Sequence, residues 1–271
     1  ELQGNSDANW LRQFATELEQ TLEEKENILA QTEEARQFWL ETLLLVAETQ
    51  ENPLQVYSIW QQQKDCFDET LLAALPAAIT QLSSTDTEQQ INIAEALFNF
   101  GNLINQFEFG AYWLNLEFGI AAYQQVLKIV SREILPTQWA QTTHNLALAY
   151  SRRIYGDKAE NIEQAIDMYQ RVLEIRTRLA MPENWATTMS FLANSYTNRV
   201  RGNKAENIEQ AIDIYQQALT VATREAMPED WATIMSNLAI AYEHRIRGNK
   251  AENIEQAIDA YQQALTIITK E

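Results

Sequence analysis

Three residues of this chain are of types that could act as a nucleophile, a base or a metal ligand. Cys66 is the single cysteine of the 271 residues, and His144 and His244 are the two histidines. A nucleophile needs a base within hydrogen-bonding reach, and a metal site needs three or four ligands close together. Cys66 is distant in sequence from both histidines, and the two histidines are 100 residues apart. The sequence therefore predicts no catalytic residue, no metal site and no cofactor.

A second candidate for chemistry is an arginine that recurs at a fixed interval. Arg153, Arg199 and Arg245 are each separated by 46 residues. A row of guanidinium groups can bind an acidic peptide through paired hydrogen bonds. Cations at the end of a helix also stabilise that helix by interacting with its dipole. Docking of an acidic partner and a purely structural role are both open on this evidence.

The same 46-residue period runs through most of the chain. Residues 202–218 return at 248–264 with a single change, from Ile214 to Ala260. Other residue types keep the interval, namely Pro136, Pro182 and Pro228, then Trp139, Trp185 and Trp231, then Gly110, Gly156, Gly202 and Gly248. A fixed period of this length is typical of a solenoid, whose units bury their apolar faces by stacking on their neighbours.

Each repeat contains two amphipathic segments. Apolar residues are spaced by three and four positions in 231–246 and again in 254–268, which predicts two helices. The proline suits the first helical position, and the glycine is expected to end the first helix in the left-handed conformation. Asp157, Asn203 and Asn249 are each followed three residues later by Glu, which predicts a capping box that opens the second helix.

The two segments together resemble the tetratricopeptide repeat. The residues that carry the resemblance are Leu238, Ala239 and Tyr242 in the first helix and Ala257, Tyr261 and Ala264 in the second. The long unit, with Arg-Gly-Asn-Lys-Ala-Glu-Asn-Ile and Met-Pro-Glu-x-Trp-Ala, is similar to repeats that precede the caspase-like CHAT peptidase domain in bacterial, especially cyanobacterial, proteins. The resemblance implies an all-α fold, a right-handed α-solenoid of helical hairpins, and a role in binding a protein or peptide.

The period divides the chain into three regions. Residues 1–85 form an acidic α-helical region out of register, residues 86–135 a degenerate repeat, and residues 136–181, 182–227 and 228–271 three full repeats. In the first region helices are predicted near Trp10, after Thr32, from Pro53 and from Asp68, and they are expected to form an N-terminal cap. No further helix follows in this sequence to cover Leu265 and Ile268 of the last repeat, so we expect a piece of a longer protein that frays or self-associates end to end.

Composition narrows the class of partner. The net charge is −18, and residues 1–85 alone carry 15 acidic against four basic side chains. The negative electrostatic potential of such a chain opposes binding to nucleic acid and to anionic membranes, because both bind clustered Lys and Arg. The sequence contains no apolar run of membrane-spanning length and no secretory signal. We therefore predict a cytoplasmic protein that binds neither nucleic acid nor membrane.

The predicted binding site is a groove formed by the first helices, which line the concave face of such a solenoid. The second helices are nearly copied between repeats, whereas the first helices vary at the positions expected to face the groove. These positions are Gln141, His144, Leu148, Arg152, Thr187, Ser190, Asn194, Asn198, Thr233, Ser236, Ile240 and His244. The variation predicts a non-catalytic peptide-binding groove. Relaxed constraint on a solvated face, an α-helical enzyme using this face and a peptide-responsive regulator are the alternatives.

Overall fold

The computed structural model of the chain describes residues 33–49, 53–82 and 86–268. Every regular element in these ranges is helical, as the sequence predicts. The helices are α1 (33–48), α2 (Pro53–Gln62), a 3₁₀ turn (Lys64–Cys66), α3 (Glu69–Leu82), α4 (Thr87–Gln106), α5 (Tyr112–Ile129), α6 (Pro136–Arg152), α7 (Lys158–Leu173), α8 (Pro182–Thr197), α9 (Lys204–Leu219), α10 (Pro228–Glu243) and α11 (Lys250–Ile268). No described helix is both long and apolar enough to cross a membrane. The helix predicted near Trp10 lies outside the described residues.

The chain divides into two compact units, residues 1–96 and residues 97–271, with the division inside α4. In the first unit, α1 and α3 are joined by a hydrogen bond from Trp39 Nε1 to the carbonyl oxygen of Leu71 at 2.6 Å. Trp39 and Trp60 are fully buried. The predicted start of α3 is confirmed, because the Asp68 carboxylate accepts a hydrogen bond from the Leu71 amide at 2.8 Å.

The second unit is a stack of helical hairpins. The hairpins α6/α7, α8/α9 and α10/α11 each pair the two helices of one repeat. Each first helix also packs on the second helix of the preceding repeat, through the contacts α5–α6, α7–α8 and α9–α10. This pattern is that of a helical-repeat solenoid and confirms the predicted architecture.

Local sequence signals begin the helices where they were expected. Proline opens α6, α8 and α10. A proline lacks an N–H, and the first N–H groups of a helix have no intrahelical acceptor in any case. At the start of the second helices, Asp157 accepts from the Glu160 amide at 2.7 Å, and Asn203 accepts from the Ala205 and Glu206 amides. The predicted N-cap residues therefore do cap α7 and α9.

The glycines in register have the predicted conformation but not the predicted place. Gly110, Gly156, Gly202 and Gly248 have φ between 81° and 85°, a region that favours glycine. They do not end the first helix, because α6 ends at Arg152 and α8 at Thr197. Gly156 and Gly202 instead directly precede the N-cap residue of the second helix. The left-handed turn thus sets the entry into α7 and α9.

Small residues allow the paired helices to approach closely. The predicted contact alanines are buried throughout, and Ala147, Ala193, Ala165 and Ala211 are fully inaccessible. One period earlier, in the predicted degenerate repeat, the corresponding positions hold Gly101 and Gly119. A Cβ at Gly101 would lie 2.6 Å from a ring carbon of Tyr123, so a side chain at position 101 would clash with the Tyr123 ring of α5.

Candidate functional site

The first helices lie side by side in the second unit. Direct contacts join α6 to α8 and α8 to α10 in addition to the contacts within each hairpin. We call the surface that α6, α8, α10 and residues 97–106 of α4 form the first-helix surface. It is the surface to which the groove prediction refers.

Two clefts open on the first-helix surface and share part of their lining. The first, of about 190 Å³, is bounded by residues of α4, α5 and α6, and we call it the amide cleft. The second, of about 180 Å³, lies between α6 and α8. Leu148 and Arg152 line both clefts. The amide cleft is further lined by Asn102, Asn105, Gln106 and Asn145, and the second cleft by Ser151, Asn194, Ser195 and Asn198.

A hydrogen-bonded network fixes the side chains of the amide cleft. Asn102 Oδ1 accepts from the Tyr123 hydroxyl and from Asn145 Nδ2, each at 2.8 Å. Asn105 Nδ2 donates to the Tyr123 hydroxyl at 3.4 Å. Burial raises the pKa of Tyr123 well above its usual value, so its hydroxyl stays protonated and remains a donor. The network joins α4, α5 and α6 and presents the amides in a defined geometry.

Arg152 supplies a positive charge between the two clefts. Its side chain is exposed, and within the described part of the chain no carboxylate forms an ion pair with it. A guanidinium group offers five donors in a planar fork that matches a carboxylate. The arrangement can therefore bind an anionic group while the neighbouring amides bond to polar groups on either side.

The structure places the predicted groove residues in three settings. Leu148, Arg152, Asn194 and Asn198 line the two clefts, and His244 lines a separate cleft beside α11. His144 and Ser190 are buried, at 7% and 8% exposure, so the expectation that they face a groove is wrong. The other predicted positions are exposed or half-buried but lie outside the two clefts, namely Gln141, Thr187, Thr233, Ser236 and Ile240.

His144 is a core residue at the interface between adjacent repeats. Its ring contacts Tyr169 and Phe191 edge to face, with centroids 5.4 and 5.3 Å apart, and its Nδ1 lies 3.3 Å from Thr188 Oγ1. Burial, and then the nearby Arg176 guanidinium, lower the pKa of His144 to about 3. The imidazole is therefore neutral at pH 7. Among the described residues, no group of three or more His, Cys, Asp or Glu side chains is placed to hold a metal ion.

The arginines in register bind carboxylates of the chain itself. Arg153 forms two hydrogen bonds with Glu117, both at 2.6 Å. Arg199 binds Glu163 in the same bidentate way at 2.7 Å, and Arg245 binds Glu209 at 2.9 and 2.7 Å. Each arginine lies in the turn that follows α6, α8 or α10. Each glutamate lies on the helix immediately before that one, which is α5, α7 or α9. Of the two roles that the sequence leaves open for these arginines, the internal pairs favour the structural one.

These pairs also change the pKa values of the carboxyl groups. Hydrogen bonds from the Arg199 and Arg245 side chains lower the pKa of Glu163 and of Glu209 respectively, even though partial burial acts in the opposite direction. The charged form of each glutamate is therefore favoured in the folded chain.

Sequence reasoning missed the polar residues of the amide cleft. Asn102, Asn105 and Gln106 lie in residues 86–135, the predicted degenerate repeat, whereas the predicted groove positions all lie in the three full repeats. Their spacing of three and four positions places them on one helical face, which is a visible signal. Asn145 was missed because it directly follows His144, which was taken as the residue facing the groove.

Comparison with known families agrees with this architecture. Residues 139–178, 185–219 and 231–265 match the family model of the tetratricopeptide repeat. The matched segments coincide with the hairpins α6/α7, α8/α9 and α10/α11. No curated protein matches the chain. The stacked hairpins and the three matches together support a tetratricopeptide-repeat protein, and repeats of this family suggest a protein-binding scaffold.

Proposed function

We propose that this chain is a non-catalytic scaffold whose first-helix surface binds an extended peptide carrying an acidic group. The observation that carries the proposal is the position of Arg152 between two amide-lined clefts. A carboxylate of the peptide binds the Arg152 guanidinium through charge-assisted hydrogen bonds. The flanking residues of the peptide enter the amide cleft on one side and the second cleft on the other.

The amides suit a peptide backbone. An Asn or Gln side chain offers both a donor and an acceptor, so it can pair with a peptide N–H and C=O. Asn105 and Gln106 lie on one side of Arg152, and Asn194 and Asn198 on the other. Leu148 adds an apolar contact at the centre. A few polar groups around an apolar contact are typical of a site that selects its ligand by orientation.

The variation between repeats supports this surface as the binding site. The position of Arg152 is taken by Asn198 and His244 in the next repeats, and that of Leu148 by Asn194 and Ile240. The second helices remain almost unchanged over the same interval. Differences at these solvent-facing positions are what recognition of an asymmetric peptide requires.

The alternative of an α-helical enzyme loses its main candidate. His144 is buried and its pKa is lowered to about 3. A general base works best with a pKa near the pH at which the enzyme operates and must reach its substrate. His144 fits neither condition, so the scaffold is the function that we propose.

A peptide library provides the test. A phage-displayed library of random peptides is panned against the chain, and calorimetry measures the affinity of the enriched peptides. We expect enriched sequences to carry an acidic residue or to bind through a terminal carboxylate. Replacement of Arg152 by Ala should then weaken binding about tenfold, the loss of one exposed charge-assisted contact.

The control removes a charge elsewhere. Lys128 is exposed on α5 and lines neither cleft, so Lys128→Ala should leave the affinity unchanged. Replacing Asn194 and Asn198 together by Ala should weaken binding without lowering the melting temperature by more than a few degrees. Enriched peptides that bind the Arg152→Ala and wild-type chains equally well would place the site elsewhere.

A finer role rests on the resemblance of the long repeat to the repeats that precede CHAT peptidase domains. We infer that the chain acts in the cytoplasm as the sensor or docking region of such a peptidase. Copurification of a caspase-like peptidase with the chain from its source would support this role, and its absence from every bound fraction would contradict it. End-to-end self-association stays a prediction, which sedimentation of the purified chain measures.

A further inference from the structure

The amide cleft and the second cleft are the same site one period apart. Every lining residue of the second cleft stands 46 positions after a lining residue of the amide cleft. The residues at matching positions nevertheless differ in chemistry. Asn102 and Asn145 of the amide cleft are replaced in the second cleft by Leu148 and Phe191. The pair of amides is therefore a property of the amide cleft that the repeat as such does not require.

The two amides of this pair are joined by a single hydrogen bond. Asn145 Nδ2 donates to Asn102 Oδ1 at 2.8 Å, and the same oxygen accepts from the Tyr123 hydroxyl. Two carboxamides can pair through two hydrogen bonds, but the second bond, from Asn102 Nδ2 to Asn145 Oδ1, is not formed. Within the described part of the chain these two atoms have no other hydrogen-bond partner. Asn102 thus offers a donor and Asn145 an acceptor.

Two glycines make room for the network behind the pair. A Cβ at Gly101 would lie 2.6 Å from a ring carbon of Tyr123, and a Cβ at Gly119 would clash with Asn105 Oδ1. Each of the three full repeats has alanine at both matching positions. An alanine at either glycine would displace the tyrosine ring or the Asn105 amide. The network and the space that it needs therefore occur together in this part of the chain.

Size and charge restrict what the amide cleft can hold. Its volume of about 190 Å³ is below the roughly 300 to 1,000 Å³ of pockets for small molecules, so it suits one side chain. Arg152 is the one charged residue among its described lining residues, and Arg152 also borders the second cleft. A neutral side chain is therefore favoured. A primary carboxamide carries its acceptor and its donors on two separate atoms, whereas a hydroxyl carries both on one.

We propose that the amide cleft selects an Asn or Gln side chain of the bound peptide, flanking the acidic residue that binds Arg152. The ligand carbonyl oxygen accepts from Asn102 Nδ2, and the ligand amide nitrogen donates to Asn145 Oδ1. The proposal rests on the peptide-binding function of the first-helix surface and specifies one residue of that peptide. A Glu side chain supplies no donor, and a Leu side chain supplies neither group, so each leaves polar atoms of the cleft unpaired.

A series of synthetic peptides tests this selectivity. Each alanine-based peptide carries one aspartate at a fixed position and one test residue, which is Gln, Asn, Glu, Ser or Leu. The test residue is moved through the positions on either side of the aspartate. Titration of the isotope-labelled intact chain, followed by NMR, measures the affinities. At one position we expect Gln or Asn to bind about tenfold more tightly than Glu, Ser or Leu, the effect of losing two neutral hydrogen bonds.

A variant of the chain tests the residues. The double substitution Asn102→Leu and Asn145→Phe gives the amide cleft the residues of the second cleft. It should abolish the preference for Gln over Leu, while the Leu peptide binds at least as tightly as before. Retained binding of the Leu peptide separates lost recognition from lost folding. Gln141→Leu, which removes an exposed carboxamide of α6 outside both clefts, is the matched control and should keep the preference.

The outcomes separate this proposal from the peptide-binding function itself. Equal affinities for all test residues at every position, each weakened by Arg152→Ala, would overturn the carboxamide site and leave the peptide site in place. A preference for Gln that the double variant keeps would also overturn it. A preference that the double variant abolishes but Arg152→Ala does not weaken would support the carboxamide site and refute Arg152 as the acidic anchor. Absence of binding by every peptide would refute both.

Discussion

The Arg199–Glu163 pair is expected to contribute measurably to the cohesion of adjacent repeats. Two hydrogen bonds of 2.7 Å join the side chains, which are 28% and 21% exposed. Fully exposed ion pairs contribute about 0.2 to 1 kcal/mol, and hydrogen bonds to charged groups about 1.5 to 3 kcal/mol. Because this pair is partly shielded and bidentate, we expect a coupling free energy of about 1 to 2 kcal/mol.

A double-mutant cycle measures that coupling. Urea denaturation gives the free energies of unfolding of the wild type, Arg199→Ala, Glu163→Ala and the double variant. The coupling free energy of the pair is the part of the double variant's loss that the two single losses do not add up to. The matched comparison is Arg201 with Glu160, whose atoms are 2.8 Å apart but whose side chains are 53% and 51% exposed. That pair should couple by less than about 0.5 kcal/mol. Equal coupling energies in the two cycles would refute the argument that shielding strengthens the first pair.

The same pair should make stability depend on acid pH. Arg199 lowers the pKa of Glu163 in the folded chain. A carboxyl group with a lowered folded pKa adds stability that is present above its unfolded pKa, about 4.3, and lost as the pH falls through the folded value. The coupling measured at pH 7 should therefore shrink in a cycle repeated at strongly acid pH, and persistence of the full coupling there would contradict a charged Glu163 as its source.

Three further substitutions test the packing of the array. Ala211→Leu should cost about 1 to 3 kcal/mol in urea denaturation, because Ala211 is fully buried between helices, whereas Gln217→Leu on the exposed side of α9 should cost little. Gly202→Ala should cost about 1 to 2 kcal/mol, since φ is 81° at that residue and alanine is strained there; an unchanged midpoint would mean that the turn relaxes. The native stability should fall from pH 6.5 towards about pH 3 because the unfolded His144 imidazole binds a proton that the buried one does not. His144→Phe, which introduces the residue found one period earlier at Phe98, should reduce that dependence in denaturation midpoints measured at pH 7 and pH 4.

Local signals made the helices predictable. Pro182 and Pro228 fix the first turns of α8 and α10, and Asp157 and Asn203 cap α7 and α9 through bonds that span three residues or fewer. Such signals act within a few residues, so the sequence alone contains them. The left-handed turn at Gly202 was also predictable as a conformation. The sequence did not predict that Gly202 directly precedes the N-cap of α9. A left-handed glycine is equally compatible with a position at the end of the preceding helix.

Contacts between repeats were harder to predict because they depend on which helices stack. Arg199 was interpreted through its position near a helix end, while its carboxylate partner lies 36 residues upstream. The signal was present, since Glu117, Glu163 and Glu209 keep the same period as the arginines. His144 and Ser190 were misplaced for a related reason. Close contact between successive first helices buries residues that a single helix would expose.

The two neighbouring arginines Arg152 and Arg153 show how the array can separate cohesion from recognition. Arg153 binds Glu117 of the preceding second helix, and its counterparts are arginine in each later repeat because every junction needs the same pair. Arg152 lines the clefts, and its counterparts differ. A change at the Arg152 position alters the chemistry of the first-helix surface without removing a bond between repeats. The array can therefore vary what it binds while keeping how it is held together.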